Sequence, residues 1–355
     1  MSEEIIIIGW KAPSNIALVK YWGKRGNQLP ENGSLSITLE NSTTTTFLSF
    51  QKKSEKGDTI SLKYYFHKEQ VLPFEKKTEL LLNKLCSEMP FLVDYELVFH
   101  SENNFPHSTG IASSASSMSA LALCLVSMEE IINANKLEND EFFRRASRIA
   151  RLGSGSASRS VYGGLVSWGS SDSIANSSDE YATPFLLHEG SRLNKVMDII
   201  LIVSSKEKSV SSTKGHALMS EHPYREARKM QANNNLIKIT EAIRNDDYQS
   251  IAAIAENEAL SLHALLMTSG SDGLLLKPNT LYILEEIKRF RETSGLDLFF
   301  TIDAGPNVHL IYYEDQREQV LEFVRQNLSQ YCEDGRWIDD QVGSGPQKIT
   351  SVMKN

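Results

Sequence analysis

The stretch NNFPHSTGIASSASS, residues 103–117, decides the fold because it places small residues and hydroxyls where a loop turns into a helix. Phe105 and Pro106 end an extended run, and Gly110 permits a tight backbone. From Ser113 the chain leads into SALALCLVSMEEI, whose apolar residues recur at helical spacing. Such a first turn offers unpaired N–H groups and hydroxyls without bulk, so the segment is typical of a phosphate cradle.

The same segment has a plainer interpretation, which is a serine-rich N-cap before an ordinary core helix. It also lacks the GxxxxGK(S/T) pattern of the common P-loop. A nucleotide site at this position would therefore belong to another family.

Three further segments combine small residues with one or two charges. They are KAPSNIALVKYWGKR (11–25), RLGSGSASRSVYGGLVSWG (151–169) and FFTIDAGPNVHLIYY (299–313). The motifs APxNIAxxKYWGK, NNFPxxxGxASSA, GSGSAxRSxxGG and DAGPN occur in this order over nearly the whole chain. With them the chain resembles the diphosphomevalonate decarboxylases of the GHMP kinase superfamily.

The resemblance implies an α+β (α/β two-layer), GHMP kinase-like fold of two lobes with the active site in the cleft between them. Residues 1–185 would form the lobe with the phosphate-binding loop, and residues 186–355 the lobe with the DAGPN turn. ATP and Mg²⁺ are the implied cofactors, although no carboxylate in residues 103–117 indicates a metal ligand. The residues expected to bind the nucleotide are Asn104, Pro106, Gly110, Ala112, Ser113 and Ser114.

The implied reaction is the ATP-dependent decarboxylation of mevalonate 5-diphosphate to isopentenyl diphosphate, with ADP, phosphate and CO2 as the other products. Three alternatives remain open: a decarboxylase of the monophosphate, a small-molecule kinase of the same superfamily, and a non-catalytic nucleotide-binding regulatory protein. A monophosphate decarboxylase would keep the same catalytic residues, so the sequence distinguishes it poorly from a diphosphate decarboxylase. Loss of the aspartate of the DAGPN motif or of the basic residues would favour a regulatory protein, and this sequence keeps both.

Composition narrows the class of protein. The 355 residues, 41% hydrophobic and 23% charged, suit a globular enzyme, and the net charge of −8 argues against a nucleic-acid partner. The apolar run Ile5–Ile8 follows two glutamates and is too short for a membrane span or a signal peptide. Three cysteines without CxxC spacing predict plain thiols. We expect a cytoplasmic protein without a membrane partner, and a homodimer is one option that stays open.

Periodicity predicts strands followed by helices in the first half and mainly helices in the second. Predicted strands are 5–10, 35–39, 43–50, 59–66, 95–100 and 196–204, with two more around the DAGPN turn. Predicted helices begin near Ser113 and cover 141–152, 223–246, 248–266, 279–294 and 315–329. The polar segment 171–180 is a predicted loop.

Asp303 is the first catalytic candidate, because a short Gly-Pro turn between strands would hold its carboxylate rigidly. The alternative is an Asx-turn in which the carboxylate caps its own backbone. By resemblance, Asp303 would face the C3 hydroxyl that receives the γ-phosphoryl group of ATP. An aspartate is a weak base for an alcohol, but a loose transition state makes orientation more important than basicity.

Arg159 and Lys20 complete the predicted catalytic set. A guanidinium grips a carboxylate with two parallel hydrogen bonds, and by resemblance Arg159 would meet the carboxylate end of the substrate. The family often has Cys before this arginine, where this chain has Ser158. By resemblance Lys20 would stand near Asp303 and the transferring phosphoryl group. A surface ion pair for Arg159 and a solvated charge for Lys20 are the alternatives.

The predicted substrate-binding residues would hold the diphosphate. By resemblance these are Tyr21, Lys24, Ser154, Ser156, Ser211 and Ser212. The last two belong to SVSSTKG (209–215), where the family sometimes has an arginine and this chain has Thr213 beside Lys214. That segment could equally be a serine-rich turn. His100, His107 and His263 lie near these segments without a metal-ligand spacing, so we expect them to be structural.

Overall fold

The computed structural model describes residues 5–55, 57–106, 111–206, 212–270 and 274–349, and within 212–214 it describes the backbone. The helices of these ranges are α1 Leu72–Leu85, α2 Ser113–Ile132, α3 Asn139–Gly153, α4 Ser212–Leu218, α5 Arg225–Arg244, α6 Tyr248–Thr268, α7 Pro278–Ser294 and α8 Arg317–Phe323. The strands are β1 Ile6–Val19, β2 Lys24–Arg25, β3 Leu29–Pro30, β4 Ser34–Lys52, β5 Ser61–Phe66, β6 Glu69–Gln70, β7 Tyr95–Asn103, β8 Leu165–Trp168, β9 Ala182–Phe185, β10 Val196–Leu201, β11 Phe299–Thr301, β12 Val308–Tyr313, β13 Trp337–Gln341 and β14 Gln347–Ile349. Helices and sheets are mixed, which confirms the α+β prediction.

The larger sheet is built on two long antiparallel strands, β1 and β4. Its order is β14-β1-β4-β7-β5-β6, with β8 pairing with β4 and β9 pairing with β8. The ladder between β1 and β4 shifts register between Pro13 and Asn15 and again between Ala17 and Val19. A proline cannot donate to the ladder, so an irregularity of this kind is where a strand tolerates one. Strand β1 ends at Val19, so Lys20 is the first residue beyond it.

Helix α2 is the central helix of the first half. It packs on β1 and β4 and against α3, and its residues from Ala115 to Met128 are buried with the exception of Ser117. Its length and hydropathy would also suit a membrane span, but most of it is buried inside the fold. Because a helix enclosed on all sides must be apolar all round, we interpret α2 as a core helix.

The smaller sheet has the order β11-β12-β10-β13 and packs against helices. A hydrophobic cluster there includes Ile199 of β10, Ile283 of α7 and Val320 of α8. A second cluster joins the two halves, since it contains Ile16 of β1 together with Phe299 of β11. The ends of β1 and β11 therefore meet at this junction. The division into residues 1–185 and 186–355 stays a prediction.

Several sequence predictions differ from the structure in detail. The two strands predicted at 35–39 and 43–50 are one continuous strand, β4, because the intervening polar residues lie in its irregular middle. The helix predicted at 315–329 is α8 followed by a π-helical turn, Val324–Leu328. Helix α1 was not predicted at all. All three cysteines are free, as the sequence predicts.

Candidate active site

Asp303 lies on the turn that joins β11 to β12, and buried side chains hold this turn. Thr280 Oγ1 donates to the Pro306 carbonyl at 2.8 Å, and His263 Nε2 lies 3.1 Å from the Asp303 carbonyl oxygen. The Gly305 N–H donates to the same carbonyl at 2.7 Å. The turn is thus closed through the backbone of Asp303, and its carboxylate is not spent on an Asx-turn.

The Asp303 carboxylate accepts a hydrogen bond from Lys20, whose Nζ lies 2.7 Å from Oδ1. The Lys20 side chain is 2% exposed and the Asp303 side chain 26%. Burial alone would raise the pKa of the Asp303 carboxyl, but Lys20, with smaller contributions from His309 and Arg159, outweighs it and the net pKa lies below the ordinary value. Burial lowers the pKa of Lys20, and Asp303 opposes that change. The structure therefore brings together two of the three predicted catalytic residues as an ion pair that is partly exposed on the aspartate side.

Arg159 lies in the 3-10 helix Gly155–Val161, buried beside this pair. Its Nη1 donates to Ser34 Oγ at 2.6 Å and its Nε to Asn15 Oδ1 at 3.4 Å. Burial lowers the pKa of the guanidinium to about 10, while Asp303 acts to raise it. The group stays charged at neutral pH and is fixed by two neutral partners, which leaves Nη2 without a hydrogen bond inside the described parts of the chain. Neither Asn15 nor Ser34 was predicted, although Asn15 lies inside the APxNIA motif.

Tyr21 brings the substrate-binding candidates of two segments together. A Cβ atom on Gly155 would lie 2.6 Å from Tyr21 Oη and 2.8 Å from the Trp168 ring, so only glycine fits between Ser154 and Ser156. The Tyr21 hydroxyl is buried and has no hydrogen-bond partner in the described protein. Burial raises its pKa well above the ordinary value, so the hydroxyl is neutral. It is therefore a buried donor without a partner in the described protein, next to Gly155 of the predicted substrate segment.

Lys24 stands on a small hairpin formed by β2 and β3. Arg151, which is buried, donates to the Asn27 carbonyl in this hairpin and also to Glu180, at 2.6 Å from Oε2. Lys24 itself is half-buried. Burial, with the ammonium of Lys77 nearby, lowers the pKa of Lys24 to about 8. Lys24 on the hairpin and Lys77 on α1 therefore lie close enough to interact, which concentrates positive charge at this hairpin.

The N-terminus of α2 has the features of an anion site and not those of a side-chain cap. The N-cap residue is Ala112, in the left-handed conformation at φ 48°, and its side chain makes no capping hydrogen bond. The hydroxyl of Ser117 donates back to the Ser113 carbonyl at 2.8 Å, and Ser114 Oγ lies 3.3 Å from Ser154 Oγ. This contact joins the predicted nucleotide loop to the predicted substrate loop. The plainer interpretation, a serine N-cap, is wrong, because the serines lie inside the helix.

The rest of the nucleotide loop is described in part. Asn104 uses its side chain on strand β4, since Oδ1 accepts from Thr43 N–H at 2.9 Å and Nδ2 donates to the Asn41 carbonyl at 2.6 Å. Pro106 follows it, and Gly110 lies outside the described residues. Asn104 thus shapes the loop with its amide group. Its contact with nucleotide, like those of Pro106 and Gly110, stays a prediction.

Ser211 and the side chain of Ser212 also lie outside the described part of the chain. Directly after them, His216 of α4 lies against the rings of Tyr21 and Trp22, at 4.3 and 4.6 Å between centroids. Its Nδ1 accepts from the Gly23 N–H at 3.1 Å. Helix α4 therefore packs through His216 against the residues that follow β1.

The described residues contain no group of three or more His, Cys, Asp or Glu side chains that could hold a metal ion. Asp303 is the one carboxylate among the predicted site residues, and Lys20 already pairs with it. A hard cation such as Mg²⁺ commonly binds through one or two carboxylates together with phosphate oxygens. The residues present fit an ion that is held mainly by the nucleotide phosphates.

Two family profiles match this chain. Residues 12–182 match one described as "Diphosphomevalonate decarboxylase-like N-terminal domain", and residues 198–351 match "Mevalonate 5-diphosphate decarboxylase C-terminal domain". Diphosphomevalonate decarboxylase from Aspergillus fumigatus is 32% identical over 351 residues, which cover 92% of this chain and 82% of that protein.

Solved structures agree with the sequence comparisons. Mevalonate diphosphate decarboxylase from Staphylococcus aureus superimposes with a TM-score of 0.81 at 27% identity, covering 98% of each chain. A complex described as MDDEF with MVAPP, AMPPCP and magnesium also gives 0.81, at 26% identity, covering 98% of this chain and 100% of that one. The predicted GHMP kinase-like fold is confirmed by these likenesses. The chain belongs to the diphosphomevalonate decarboxylase family.

Proposed function

We propose that Asp303, Lys20 and Arg159 carry out the ATP-dependent decarboxylation of mevalonate 5-diphosphate in this protein. The observation that carries the proposal is the ion pair between Lys20 Nζ and Asp303 Oδ1 at 2.7 Å, with the buried Arg159 guanidinium beside it. The products are isopentenyl diphosphate, ADP, phosphate and CO2. The reaction belongs to the mevalonate pathway of isoprenoid synthesis.

Asp303 orients the C3 hydroxyl and accepts its proton. The oxygen of that hydroxyl attacks the γ-phosphorus of ATP while the bond to the β-phosphate oxygen breaks. In a loose transition state little charge develops on the attacking oxygen, so an ionised aspartate of low pKa is a sufficient acceptor if it is well placed. Lys20 keeps Asp303 ionised and places its positive charge next to the transferring group.

The new phosphate ester then leaves with the electron pair of the C3–O bond. Positive charge develops at C3, the C1–C2 bond breaks to release CO2, and its electron pair forms the double bond between C2 and C3. Arg159, with Nη2 available, would hold the carboxylate in the orientation that aligns this bond with the leaving group. The contribution of the chain is positioning and electrostatic stabilisation.

The diphosphate tail is assigned to Tyr21, Lys24, Ser154 and Ser156, with Ser211 and Ser212 as further candidates. Support comes from the hydroxyl of Tyr21 above Gly155 and from the half-buried ammonium of Lys24. The related complex contains MVAPP, AMPPCP and magnesium, so we assign ATP and Mg²⁺ to this chain as well. The N-terminus of α2, with Ala112, Ser113 and Ser114, would receive the nucleotide phosphates. When bound, Mg²⁺ neutralises phosphate charge.

The test is incubation of the protein with MgATP and each of mevalonate, its monophosphate and its diphosphate, with measurement of CO2 and ADP. We expect CO2 and ADP in equal amounts from the diphosphate and no CO2 with a non-hydrolysable ATP analogue. ADP without CO2 would identify a kinase, and nucleotide binding without turnover a regulatory protein. Faster CO2 release from the monophosphate would assign the shorter substrate.

We also propose a cytoplasmic location and no membrane or nucleic-acid partner. The net charge of −8 opposes binding to nucleic acid, and three unpaired thiols suit a reducing compartment. A homodimer is a further proposal, which light scattering of the purified protein would test. Exposed apolar side chains on α5 and α6, such as Met230 and Met267, give it some support.

A further inference from the structure

Helix α6 contacts the backbone of both residues in the ion pair. Glu258 Oε2 accepts a hydrogen bond from the Lys20 N–H at 2.9 Å, and His263 Nε2 lies 3.1 Å from the Asp303 carbonyl oxygen. Glu258 is fully buried and His263 is 2% exposed. Lys20 follows β1 and Asp303 follows β11, so a single rigid helix spans the junction between the two.

A second helix completes the contacts to Lys20. Arg228 of α5 donates from Nη2 to the Lys20 carbonyl at 3.1 Å and makes a bidentate pair with Glu258, at 2.8 and 2.5 Å. Asn235 also donates to Glu258, at 2.7 Å, and Asn32 Nδ2 donates to the Lys20 carbonyl at 2.9 Å. Both polar backbone groups of Lys20 are therefore bound by one buried ion pair.

A contribution to stability does not by itself explain why this ion pair is buried. Removing two charges from water is costly, and apolar residues of similar volume are often as stable or more so. The pair of Arg228 and Glu258 instead supplies directional hydrogen bonds. The carboxylate accepts from the Lys20 N–H and the guanidinium donates to the Lys20 carbonyl, which apolar side chains cannot do. The pair thus acts on the geometry of Lys20 more than on the free energy of unfolding.

His263 fixes the other residue as a neutral donor. A carbonyl oxygen can only accept, so Nε2 must carry the proton of the ring. Burial lowers the pKa of His263 to about 4, with Lys20 acting in the same direction and Asp303 opposing it. The ring therefore holds the turn at neutral pH without adding a charge beside Lys20 and Asp303.

We propose that Glu258, Arg228 and His263 are positioning residues that set the separation between the Lys20 ammonium and the Asp303 carboxylate. The inference deepens the proposed function and rests on the roles proposed there for Lys20 and Asp303. A misplacement of about 1 Å at reacting groups can cost about a hundredfold in rate, which is the size of effect at stake.

The main test replaces the buried pair by methionines, in the double variant Arg228→Met and Glu258→Met, so that no unpaired charge is left in the core. We expect kcat to fall by about tenfold to a hundredfold, with KM for the diphosphate and Kd for ATP close to those of the unchanged protein. The matched control is the double variant Arg145→Met and Glu129→Met, a bidentate pair between α3 and α2 outside the site. A kcat for the first variant within twofold of the control would overturn the proposal.

The second test uses His263 and remains informative if the double variant fails to fold. His263→Leu removes the donor, whereas His263→Gln keeps an N–H that can reach the Asp303 carbonyl. We expect a loss of kcat in the leucine variant and recovery of most of it in the glutamine variant, at similar melting temperatures. Equal kcat in the two variants and the unchanged protein would contradict the role of His263.

Asp303→Asn, measured alongside, separates failure of this inference from failure of the proposed function. If Asp303→Asn loses turnover while the α6 variants keep it, only the positioning role is wrong. If Asp303→Asn keeps full turnover, the role of the ion pair fails, and the positioning role fails with it.

Discussion

Lys20 Nζ lies 2.7 Å from Asp303 Oδ1, although the two residues are 283 positions apart in the chain. The carboxylate is the more exposed partner, 26% against 2% for the lysine side chain, so the ammonium is the buried member of the pair. In the proposed reaction Asp303 accepts the proton, and Lys20 keeps the Asp303 carboxylate charged. Each variant considered next alters one of these two residues or one residue of the substrate site.

Asp303→Asn should lower turnover by at least about a hundredfold, and by up to about ten thousandfold, as is typical for a lost general base. The amide keeps the size of the side chain but has no negative charge and accepts no proton. ATP affinity should change little, because the nucleotide is assigned to the N-terminus of α2. Single-turnover release of CO2, with ATP binding measured by calorimetry, is the appropriate measurement. A fully active variant would show that Asp303 has only a structural role in its turn.

Lys20→Met should move the acid limb of kcat/KM to higher pH. Burial raises the pKa of Asp303 and Lys20 makes the largest opposing contribution, so without Lys20 only the smaller effects of His309 and Arg159 oppose burial. In the unchanged protein the pKa of Asp303 is lowered, so this carboxyl contributes stability above its ordinary pKa and loses that contribution as pH falls through the lowered value. The residual activity of the variant, measured across acid pH, decides the matter. An unshifted limb would show that another group keeps Asp303 ionised.

The loop residues of the site could be predicted from sequence, whereas their supports could not. Asp303 and Lys20 occur in short motifs of unusual composition, and resemblance gave their roles. Glu258 and His263 lie in the helical sequence ENEALSLHALL, which contains no motif that indicates a functional site. Its one unusual feature is that Glu258 lies on the apolar face of the helix. Which backbone group such a side chain reaches depends on how β1 and β11 meet, and that is a property of the tertiary structure.

Local signals explain the helix that was missed. Helix α1 begins after Val71, which provides no side-chain cap, and Pro73 stands in its first turn. Charged residues then weaken its apolar periodicity. A capping residue is the usual sequence signal for a helix start, and here it is absent.

Tyr21→Phe should weaken substrate binding without destabilising the protein. The hydroxyl is buried without a hydrogen-bond partner in the described protein, so its removal costs no internal hydrogen bond. A lost hydrogen bond to a charged phosphate is worth roughly 1.5 to 3 kcal/mol, so kcat/KM for the diphosphate should fall by about tenfold or more. The melting temperature should be unchanged or slightly higher. A marked drop in melting temperature with unaltered kcat/KM would mean that the hydroxyl serves the fold.

Lys24→Ala should selectively remove the preference for the diphosphate over the monophosphate. Tyr21, Lys24, Ser154 and Ser156 supply more donors than one phosphate group needs. Two lost charge-assisted hydrogen bonds correspond to at least about a hundredfold in kcat/KM, so we expect a preference of that order in the unchanged protein. Comparison of kcat/KM for both substrates in both proteins tests this. A monophosphate turned over equally well by the unchanged protein would assign this site to the shorter tail while leaving Asp303 its role.

The charge of Lys24 also predicts a pH dependence of substrate binding. Its pKa is lowered to about 8 by burial and by Lys77, so in the free protein the ammonium loses its proton as pH rises through that value. A neutral amine attracts a diphosphate less than a cation does, so KM for the diphosphate should rise between about pH 7 and about pH 9. In Lys24→Arg the guanidinium stays charged over this range, and the rise should be reduced. A rise of equal size in the arginine variant would assign the titration to another group.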